Sequence, residues 1–407
     1  MLYKKHIILG ITGGIAAYKS AVLCSLLKQM GAEVRVVMSD NATKFITPLT
    51  LETLSGYPVY TDMFASNGNA HEIKHISWSE WADFVIVAPA TANILAKVAN
   101  GIADDALSTL LLATTSPILF APAMNSKMWN NIVTQENLAK LILRKHLFAM
   151  PDSGHLACGQ SGTGRMQDPR DIASFVESFF EQNAPLKGKR VLITSGPTRE
   201  YIDPVRFMSN PSSGKMGKAI AEQAISMGAA DVAFVTGPVN EEFLPTPHDN
   251  LAIYSIISAD DMLKAVESLY QEYDLMIFVA AVSDYKPAQF HTEKIKKEST
   301  DMSAIPLVRN PDIASIINAK KRPEQISIGF AAETNCVEEY AQAKMNSKHF
   351  NAIVANNVSD KSIGFGSDDN AVTIYQANGA QPIVIDKVDK LLIAKRILEC
   401  ASSLFVK

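Results

Sequence analysis

The chain has 407 residues, roughly twice the length of a typical domain, so its length alone favours two domains. Hydrophobic residues make up 47% and charged residues 20%, which excludes a disordered chain and allows a core in each half. The formal net charge of -4 gives no electrostatic case for a nucleic-acid binder. No apolar run reaches the ~18 residues of a membrane span. The four cysteines are scattered without metal-ligand spacing, so we expect a cytoplasmic protein with no metal ligands of its own.

The first half alternates predicted strands and helices. A strand at His6–Leu9 leads through a glycine turn into a helix over Ile15–Met30, and a second strand covers Glu33–Met38. Further strands are predicted at Phe84–Ala88 and Ile118–Ala121. Strand–helix–strand units of this length form a parallel sheet that is covered by helices on both faces.

The same alternation restarts after a polar break at Glu181–Lys189. A helix is predicted from Ser213–Gly217 to about Met227. Strands are predicted at Arg190–Thr194, Val232–Thr236, Leu275–Val279 and Ala352–Ala355. We therefore expect two consecutive α/β domains, residues 1–185 and 186–407, that share a general plan but no motif.

Three loops of the first half follow predicted strands, where ligands bind in open α/β sheets. Gly13 and Gly14 let the backbone approach a ligand and open a helix whose N–H groups attract an anion. Thr91 and Asn93 follow the next strand, and Asn125 follows the one after it. Each loop taken alone is equally well explained as a tight turn, an ordinary βα loop or a helix N-cap.

Two further residues of the first half are candidates for chemistry. Cys158 lies among four glycines between Gly154 and Met166, a composition typical of a lid that closes on substrate rather than of a packed core. His75 precedes two tryptophans, although a lone histidine is more often a surface or core residue. The other cysteines, Cys24, Cys336 and Cys400, are interpreted as inert packing.

In the second half, Ser209–Gly217 places small donors at a helix start and is a candidate phosphate cradle, although bare capping remains open. It is not a P-loop. Asp284 follows a strand, and Lys294 begins a basic run ten residues later that is better explained by an anionic substrate than by a solvated face. Lys344 and Lys348 are four apart and share a helix face, with surface charge as the alternative.

These motifs, in this order, resemble the bacterial bifunctional phosphopantothenoylcysteine decarboxylase/phosphopantothenate–cysteine ligases over nearly the whole chain. The first half carries Gly13-Gly14-Ile15, His75, the Asn125 motif and the Cys158 loop of the flavin-dependent cysteine decarboxylases. The resemblance implies two Rossmann-like three-layer α/β domains, a flavodoxin-like flavoprotein domain followed by a ligase domain. Gln167-Asp168 departs from the small residue and glutamate that the family usually shows.

For the first domain, the resemblance implies FMN-dependent decarboxylation. The flavin accepts a hydride from the thiol-bearing carbon, which allows the neighbouring carboxylate to leave as CO₂. The reduced flavin then returns the hydride to the product. By motif, Asn125 holds the substrate carboxylate, His75 assists oxidation and decarboxylation, and Cys158 donates a proton to the ene-thiolate. The implied FMN contacts are Gly13, Gly14, Ile15, Ser39, Thr91, Asn93 and Met124.

For the second domain, the resemblance implies CTP and Mg²⁺. The carboxylate of 4′-phosphopantothenate attacks CTP to give an acyl-cytidylate, which the amine of L-cysteine then attacks. By motif, Asn210 contacts the acyl-cytidylate and Lys294 acts in nucleotide binding and transfer. The implied CTP contacts are Ala280, Asp284, Lys294, Asn310, Pro311, Asp312, Ile313, Phe330, Lys344 and Lys348. Asn351 and Asn356 stand where the family commonly has aspartates.

The resemblance also implies a dodecamer-type homo-oligomer, with trimeric flavin domains joined through dimeric ligase domains. The expected product of the two reactions is 4′-phosphopantetheine, on the route to coenzyme A. Two alternatives remain open: a flavin-dependent peptidyl-cysteine decarboxylase, and a regulatory flavoprotein without catalysis. The intact motifs around Asn210 and Lys294 disfavour the first, and the joint presence of His75, Asn125 and Cys158 disfavours the second.

Overall fold

A computed structural model describes residues 2–63, 74–155, 161–296, 304–333, 335–357 and 367–405. The chain divides into two compact units, Met1–Gln182 and Asn183–Lys407. Within the described ranges, every helix is too short or too polar to traverse a lipid bilayer.

The first unit is built on a five-stranded parallel sheet with the order β2-β1-β3-β4-β5. Its strands are β1 (His6–Ile11), β2 (Glu33–Met38), β3 (Phe84–Ala90), β4 (Ile118–Pro122) and β5 (Leu147–Phe148). A two-stranded antiparallel hairpin, β6 (Asp152–His155) with β7 (Ser161–Arg165), follows the sheet. This strand order is that of the flavodoxin-like doubly wound fold, whose ligand site lies between β1 and β3.

Helices cover both faces of this sheet. They are α1 (Ala17–Gln29), α2 (Pro48–Ser55), α3 (Lys74–Trp81), α4 (Ala92–Asn100), α5 (Ala106–Ala113), α6 (Ser126–Trp129), α7 (Ile132–Leu143) and α8 (Pro169–Gln182). Successive strand residues point to opposite faces, so Ile7 and Leu9 belong to one buried cluster and Ile8 to the other. Both faces are therefore apolar, which explains the continuous hydrophobic runs of the strands.

The second unit is built on an eight-stranded sheet with the order β12-β11-β8-β13-β16-β17-β18-β19. Its strands are β8 (Arg190–Ser195), β11 (Asp231–Thr236), β12 (Leu251–Ser255), β13 (Leu275–Phe278), β16 (Ile326–Glu333), β17 (Ala352–Asn357), β18 (Asp369–Gln376) and β19 (Ile383–Asp389). The first six positions are parallel and follow the Rossmann order, with the switch point between β8 and β13. Strands β18 and β19 add an antiparallel edge.

The helices of this unit are α9 (Lys215–Ser226), α10 (Ala259–Leu269), α11 (Ile313–Asn318), α12 (Val337–Ser347) and α13 (Lys390–Leu404). Two short antiparallel ribbons pair β9 (Arg199–Tyr201) with β10 (Phe207–Ser209) and β14 (Tyr285–Pro287) with β15 (Leu307–Arg309). The predicted fold class, two consecutive Rossmann-like three-layer α/β domains, is confirmed. The parallel strands β5, β12 and β16, the β6–β7 hairpin, the antiparallel edge and the ribbons were not predicted.

Candidate active sites

A cavity of about 440 Å³ lies at the carboxyl ends of β1, β3 and β4. The loop after β1 contributes Gly13, Gly14 and Ile15, and Thr91 comes from the end of β3. The loop after β4 contributes Met124 and Asn125, and the end of the β6–β7 hairpin contributes Gly164, Arg165 and Met166. Five of the seven predicted FMN contacts therefore line one cavity at the switch point of the sheet.

The first two loops are tied together by Thr12. Its hydroxyl donates to the Pro89 carbonyl at 2.7 Å and accepts from the Thr91 N–H at 3.2 Å. Ala16 caps α1 without a side-chain hydrogen bond, and no acidic residue stands in the first turn. The N-terminus of α1 therefore presents backbone donors and a favourable dipole to an anion such as a flavin phosphate.

Asn125 both caps α6 and lines the cavity. Its side-chain oxygen accepts from the Lys127 N–H at 2.8 Å. The loop before it is joined to the hairpin, because the Met124 N–H donates to the Gly164 carbonyl at 2.9 Å. A Cβ at Gly164 would stand 2.1 Å from the Met124 oxygen at a φ of +145°, so glycine is required for this close approach.

Lys19 is a buried cation in the same cavity that the sequence did not single out. Its Nζ donates to the Met166 carbonyl at 2.8 Å, which joins α1 to the end of the hairpin. Burial lowers the pKa of Lys19, and the charge of Arg165 lowers it further. The sequence feature that could have identified Lys19 is its position on the mainly apolar, buried face of α1.

Other predicted residues of the first unit lie elsewhere. Ser39, Asn93 and His75 are described but are not among the residues lining this cavity. Cys158 falls in the stretch 156–160, outside the described residues.

The prediction for the remaining cysteines is partly wrong. Cys24 and Cys400 are buried, and burial raises the pKa of each thiol to about 11, as expected of inert packing. Cys336 is instead exposed and precedes α12 in a left-handed conformation, with φ of 45°. The apolar neighbours that suggested burial belong to β16 and α12, and Cys336 lies in the turn between them.

In the second unit, a cavity of about 470 Å³ brings together every predicted CTP contact except Lys294. It is lined by Ala280, Asp284, Asn310, Pro311, Asp312, Ile313, Phe330, Lys344 and Lys348. We call it the nucleotide cavity. These residues come from the loop after β13, the start of α11, β16 and α12, so four separate stretches of chain converge here.

The two lysines of α12 have different partners. Lys344 donates to the Phe330 carbonyl at 2.8 Å, and its pKa is lowered by burial and then by the charge of Lys348. Lys348 pairs with Asp312 at 2.9 Å. Burial acts to raise the pKa of Asp312, but the hydrogen bonds from Lys348 and Ser315 and the charge of Lys348 together outweigh it, so the pKa is lowered. Asp312 is therefore paired with Lys348, whereas Lys344 is hydrogen-bonded to a backbone carbonyl.

Asn310 is held rigidly beside this cavity. Its Nδ2 donates to the Ser283 carbonyl at 2.8 Å, and its backbone N–H donates to the Asp284 carbonyl at 2.9 Å. Both bonds fix the loop after β13 against the start of α11.

A third cavity of about 430 Å³ lies at the switch point between β8 and β13, and we call it the α9 cavity. Asn210, Ser212 and Ser213 line it at the start of α9, together with Lys215 and Lys390. Asn210 donates to the Val282 carbonyl at 3.0 Å. Ala280, Val282, Asp284, Phe330 and Lys344 line both this cavity and the nucleotide cavity, so the two share a wall.

Lys294, Asn351 and Asn356, which the sequence analysis singled out, lie in three different places. Lys294 is exposed and lines neither cavity; its neighbour Ile295 is held by Asp203 and Arg206. Asn356 lines the α9 cavity, whereas Asn351 precedes β17 at the opposite end of the sheet. Of the two asparagines that stand where the family commonly has aspartates, only Asn356 lines a cavity.

The sequence matches known families in both halves. Residues 1–181 match the model described as Flavoprotein, and residues 186–404 match that described as DNA/pantothenate metabolism flavoprotein C-terminal domain. The coenzyme A biosynthesis bifunctional protein CoaBC of Bacillus subtilis (strain 168) is 45% identical over 381 residues, 93% of this chain and 92% of that protein.

The protein of the same description from Escherichia coli (strain K12) is 44% identical over 389 residues, 95% of this chain and 94% of that protein. Among solved structures, the C-terminal domain of a coenzyme A biosynthesis bifunctional protein CoaBC is 42% identical, with a TM-score of 0.45. The match covers 54% of this chain and 97% of that one.

Proposed function

This chain belongs to the family of coenzyme A biosynthesis bifunctional proteins, and we propose that each of its units carries one of the two activities of that family. It is both a lyase, phosphopantothenoylcysteine decarboxylase, and a ligase, phosphopantothenate–cysteine ligase. We assign the decarboxylase to residues 1–185 and the ligase to residues 186–407. The observation that carries this assignment is that the predicted contacts converge on separate cavities, one in the first unit and two in the second.

The decarboxylase unit uses FMN, held in the cavity at the ends of β1, β3 and β4. The residues there suit this cofactor, because a glycine turn, an uncapped helix N-terminus and apolar Met124 accommodate both a phosphate and a ring. Bound FMN supplies the hydride acceptor for the thiol-bearing carbon of the substrate. Asn125 holds the carboxylate that leaves, and Cys158 donates the proton that completes the product.

The ligase unit uses CTP in the nucleotide cavity and 4′-phosphopantothenate in the α9 cavity. Lys344 offsets phosphate charge, and its half-buried position strengthens that interaction. Asn210 lines the α9 cavity and is hydrogen-bonded to Val282 of the shared wall. It contacts the activated acyl group, which the amine of L-cysteine attacks with loss of CMP. Mg²⁺ accompanies the nucleotide phosphates, because this ion is usually bound through substrate phosphates with only one or two carboxylates.

The test is incubation of the purified chain with 4′-phosphopantothenate, L-cysteine and CTP, followed by mass detection of 4′-phosphopantetheine. We expect product only when all three are present, and a yellow protein with flavin absorbance. Omitting CTP while supplying the acylated cysteine isolates the decarboxylase. A colourless protein that releases no CO₂ from the acylated cysteine would contradict the first assignment, and absent CTP-dependent amide formation would contradict the second.

We also propose that the chain forms a homo-oligomer through an exposed apolar surface of its first unit. Tyr18 and Val22 of α1 and Ile15 of the turn before it are exposed, and Ile15 and Tyr18 also line the flavin cavity. Apolar side chains at the rim of a site are suited to burial against a second copy. We therefore expect Tyr18→Glu to reduce the mass of the assembly in light scattering and to release FMN, whereas an unchanged mass would contradict the interface. The buried thiols suit a reducing cytoplasm, where we place the protein.

A further inference from the structure

A buried carboxylate, that of Asp203, lies in the turn that joins β9 to β10. The turn is closed by a hydrogen bond of 2.9 Å from the Ile202 N–H to the Arg206 carbonyl. The Asp203 side chain is completely buried, and its Oδ1 accepts from the backbone N–H groups of Val205 at 2.8 Å and Arg206 at 2.9 Å. Oδ1 therefore makes the Asx turn that shapes this loop.

The other oxygen of Asp203 contacts a distant part of the chain. Oδ2 accepts from the Ile295 N–H at 3.3 Å and lies 3.6 Å from Nη1 of Arg206, whose Nη2 donates to the Ile295 carbonyl at 3.2 Å. The His291 N–H also donates to the Ile202 carbonyl at 3.0 Å. Both backbone groups of Ile295 are thus held by the β9–β10 turn.

Ile295 belongs to a segment that begins beside the nucleotide cavity. We call residues 288–296, which follow β14, the arm; Tyr285 of β14 lines that cavity. Lys294 directly precedes Ile295 and is nine residues from Tyr285 along the chain. An unattached chain of this length spans up to ~30 Å, so the attachment at Ile295 restricts the positions that Lys294 can reach.

Asp203 is ionised in this buried position. Burial acts to raise its pKa, but the backbone hydrogen bonds from Val205, Ile295 and Arg206 and the charge of Arg206 together lower it. An ionised carboxylate accepts at both oxygens, whereas an amide side chain accepts at its single oxygen. Asp203→Asn therefore keeps the acceptor of the Asx turn but sets an NH₂ group against the Ile295 N–H.

We propose that Asp203 is a positioning residue for the activation of 4′-phosphopantothenate, because it attaches the arm that bears Lys294 to the β9–β10 turn. The inference rests on the proposed ligase activity and on the role in nucleotide binding and transfer that the family motif implies for Lys294. The same turn leads through β10 to Asn210, which we assign to the activated acyl group. The two oxygens of Asp203 thus serve two successive steps, Oδ2 through the arm and Oδ1 through the turn.

The first test follows the two steps separately in the full-length protein. Pyrophosphate release from CTP and 4′-phosphopantothenate without L-cysteine measures activation alone. Asp203→Asn should slow it ~10- to 100-fold, because misplacing a reacting group by about 1 Å costs on the order of 100-fold in rate. Addition of L-cysteine to the acyl-cytidylate already formed should give amide at an unchanged rate, since the turn before Asn210 is preserved.

A double variant separates positioning from folding. Asp203→Asn should have no further effect on activation in protein that carries Lys294→Met, because both changes remove the same contribution. Asp231→Asn is the matched control, since Asp231 accepts from Arg190 and Tyr273 at the start of β11, remote from both ligase cavities. The control should leave the rate of activation unchanged. If Asp203→Asn does not fold, Ile295→Pro removes the same hydrogen bond from the side of the arm and should slow activation likewise.

Four outcomes overturn the proposal. Additive losses in the double variant would give Asp203 a role independent of Lys294. Equal slowing of activation and amide formation would show that the turn itself has changed. Unchanged or faster activation in Asp203→Asn would show that the attachment does not place the arm productively, and normal activation in Lys294→Met would leave Asp203 nothing to position. Unmodified protein that releases no pyrophosphate from CTP would instead overturn the ligase assignment itself.

Discussion

Lysines that donate to backbone carbonyls recur at all three cavities. Lys19 donates to the Met166 carbonyl, Lys344 to that of Phe330, and Lys390 to that of Ser367. A carbonyl orients the ammonium group but does not neutralise it, so the positive charge remains available to a ligand. Each site thus holds a charge that is already partly desolvated and positioned before an anionic ligand arrives.

The first prediction concerns Lys344 in the nucleotide cavity. Lys344→Met removes a half-buried charge, so the KM for CTP should rise at least ~10-fold, the worth of one charge-assisted hydrogen bond. Decarboxylation of the acylated cysteine by the same variant should not change. Lys320→Met is the matched control, because Lys320 is exposed and pairs with Glu267. A normal KM for CTP would remove Lys344 from the site.

The second prediction concerns Gly164, which meets Met124 at the flavin cavity. Gly164→Ala places a Cβ 2.1 Å from the Met124 oxygen, so the hairpin must move away from the loop of Asn125. A displacement of about 1 Å at a reacting centre costs on the order of 100-fold in rate, and we expect that loss in decarboxylation alone. Gly154→Ala, in the same hairpin with ordinary contacts, should retain activity. Equal rates in the two variants would show that this contact is not needed.

At the scale of the element, the ends of β16 and β17 remote from the ligase site contain a polar cluster. Lys321 donates to the Ser327 hydroxyl at 2.7 Å, to the His349 carbonyl at 3.3 Å and to the Asn351 side chain. Burial lowers the pKa of Lys321 to about 8. Asn351, the position where the family commonly has an aspartate, therefore leaves a half-buried cation with a neutral partner.

The third prediction follows from this cluster. The folded protein releases the Lys321 proton near pH 8, whereas the unfolded chain keeps it to about 10.5. The destabilising effect of this charge is therefore present below pH 8 and is relieved as the pH rises to about 10.5, by at most ~1.4 kcal/mol per pH unit. Asn351→Asp should raise the pKa of Lys321, remove this dependence of stability on pH and increase the melting temperature at pH 7.

Denaturant titrations from pH 7 to 10 measure the free energy of unfolding of the two variants. Asn378→Asp, in an exposed turn, is the control. The same dependence of stability on pH in both variants would contradict the assignment to Lys321.

Continuous apolar runs predicted eight of the parallel strands, β1 to β4, β8, β11, β13 and β17, because such runs report burial on both faces of a sheet. Helical periodicity predicted α1 and α9, while the parallel strands β5, β12 and β16 and the remaining helices were not predicted. Strand β2 matches its predicted bounds, while β1 extends to Ile11, beyond the predicted end at Leu9. The short ribbons and the edge strand β19 were missed because their residues are mostly exposed and carry no apolar alternation. Motif resemblance grouped the nucleotide contacts, but Lys390 lies far in sequence from any of the motifs, so only the fold brings it to a cavity. Lys19 follows the glycine turn by five residues, but its burial at the cavity is a property of the fold.

At the scale of the whole molecule, the two compact units predict two unfolding events. A ligand that binds only the native form stabilises it by RT ln(1 + [L]/Kd), about 2.7 kcal/mol at a hundredfold excess over Kd. In scanning calorimetry, removal of FMN should lower the melting temperature of the first unit. Addition of CTP should raise the melting temperature of the second unit. A single transition that responds to both ligands would show that the units unfold together.

The wall shared by the two ligase cavities restricts how this enzyme can change. Phe330 and Lys344 line both cavities, the one to which we assign CTP and the one to which we assign 4′-phosphopantothenate. A substitution there that improves the fit of one partner alters the fit of its neighbour at the same time. A substitution in this wall that prevents an inhibitor from binding to one cavity would therefore also impair binding of the substrate in the other cavity. Substitutions at Lys348 or Lys390, which line one cavity each, would leave the other cavity unchanged.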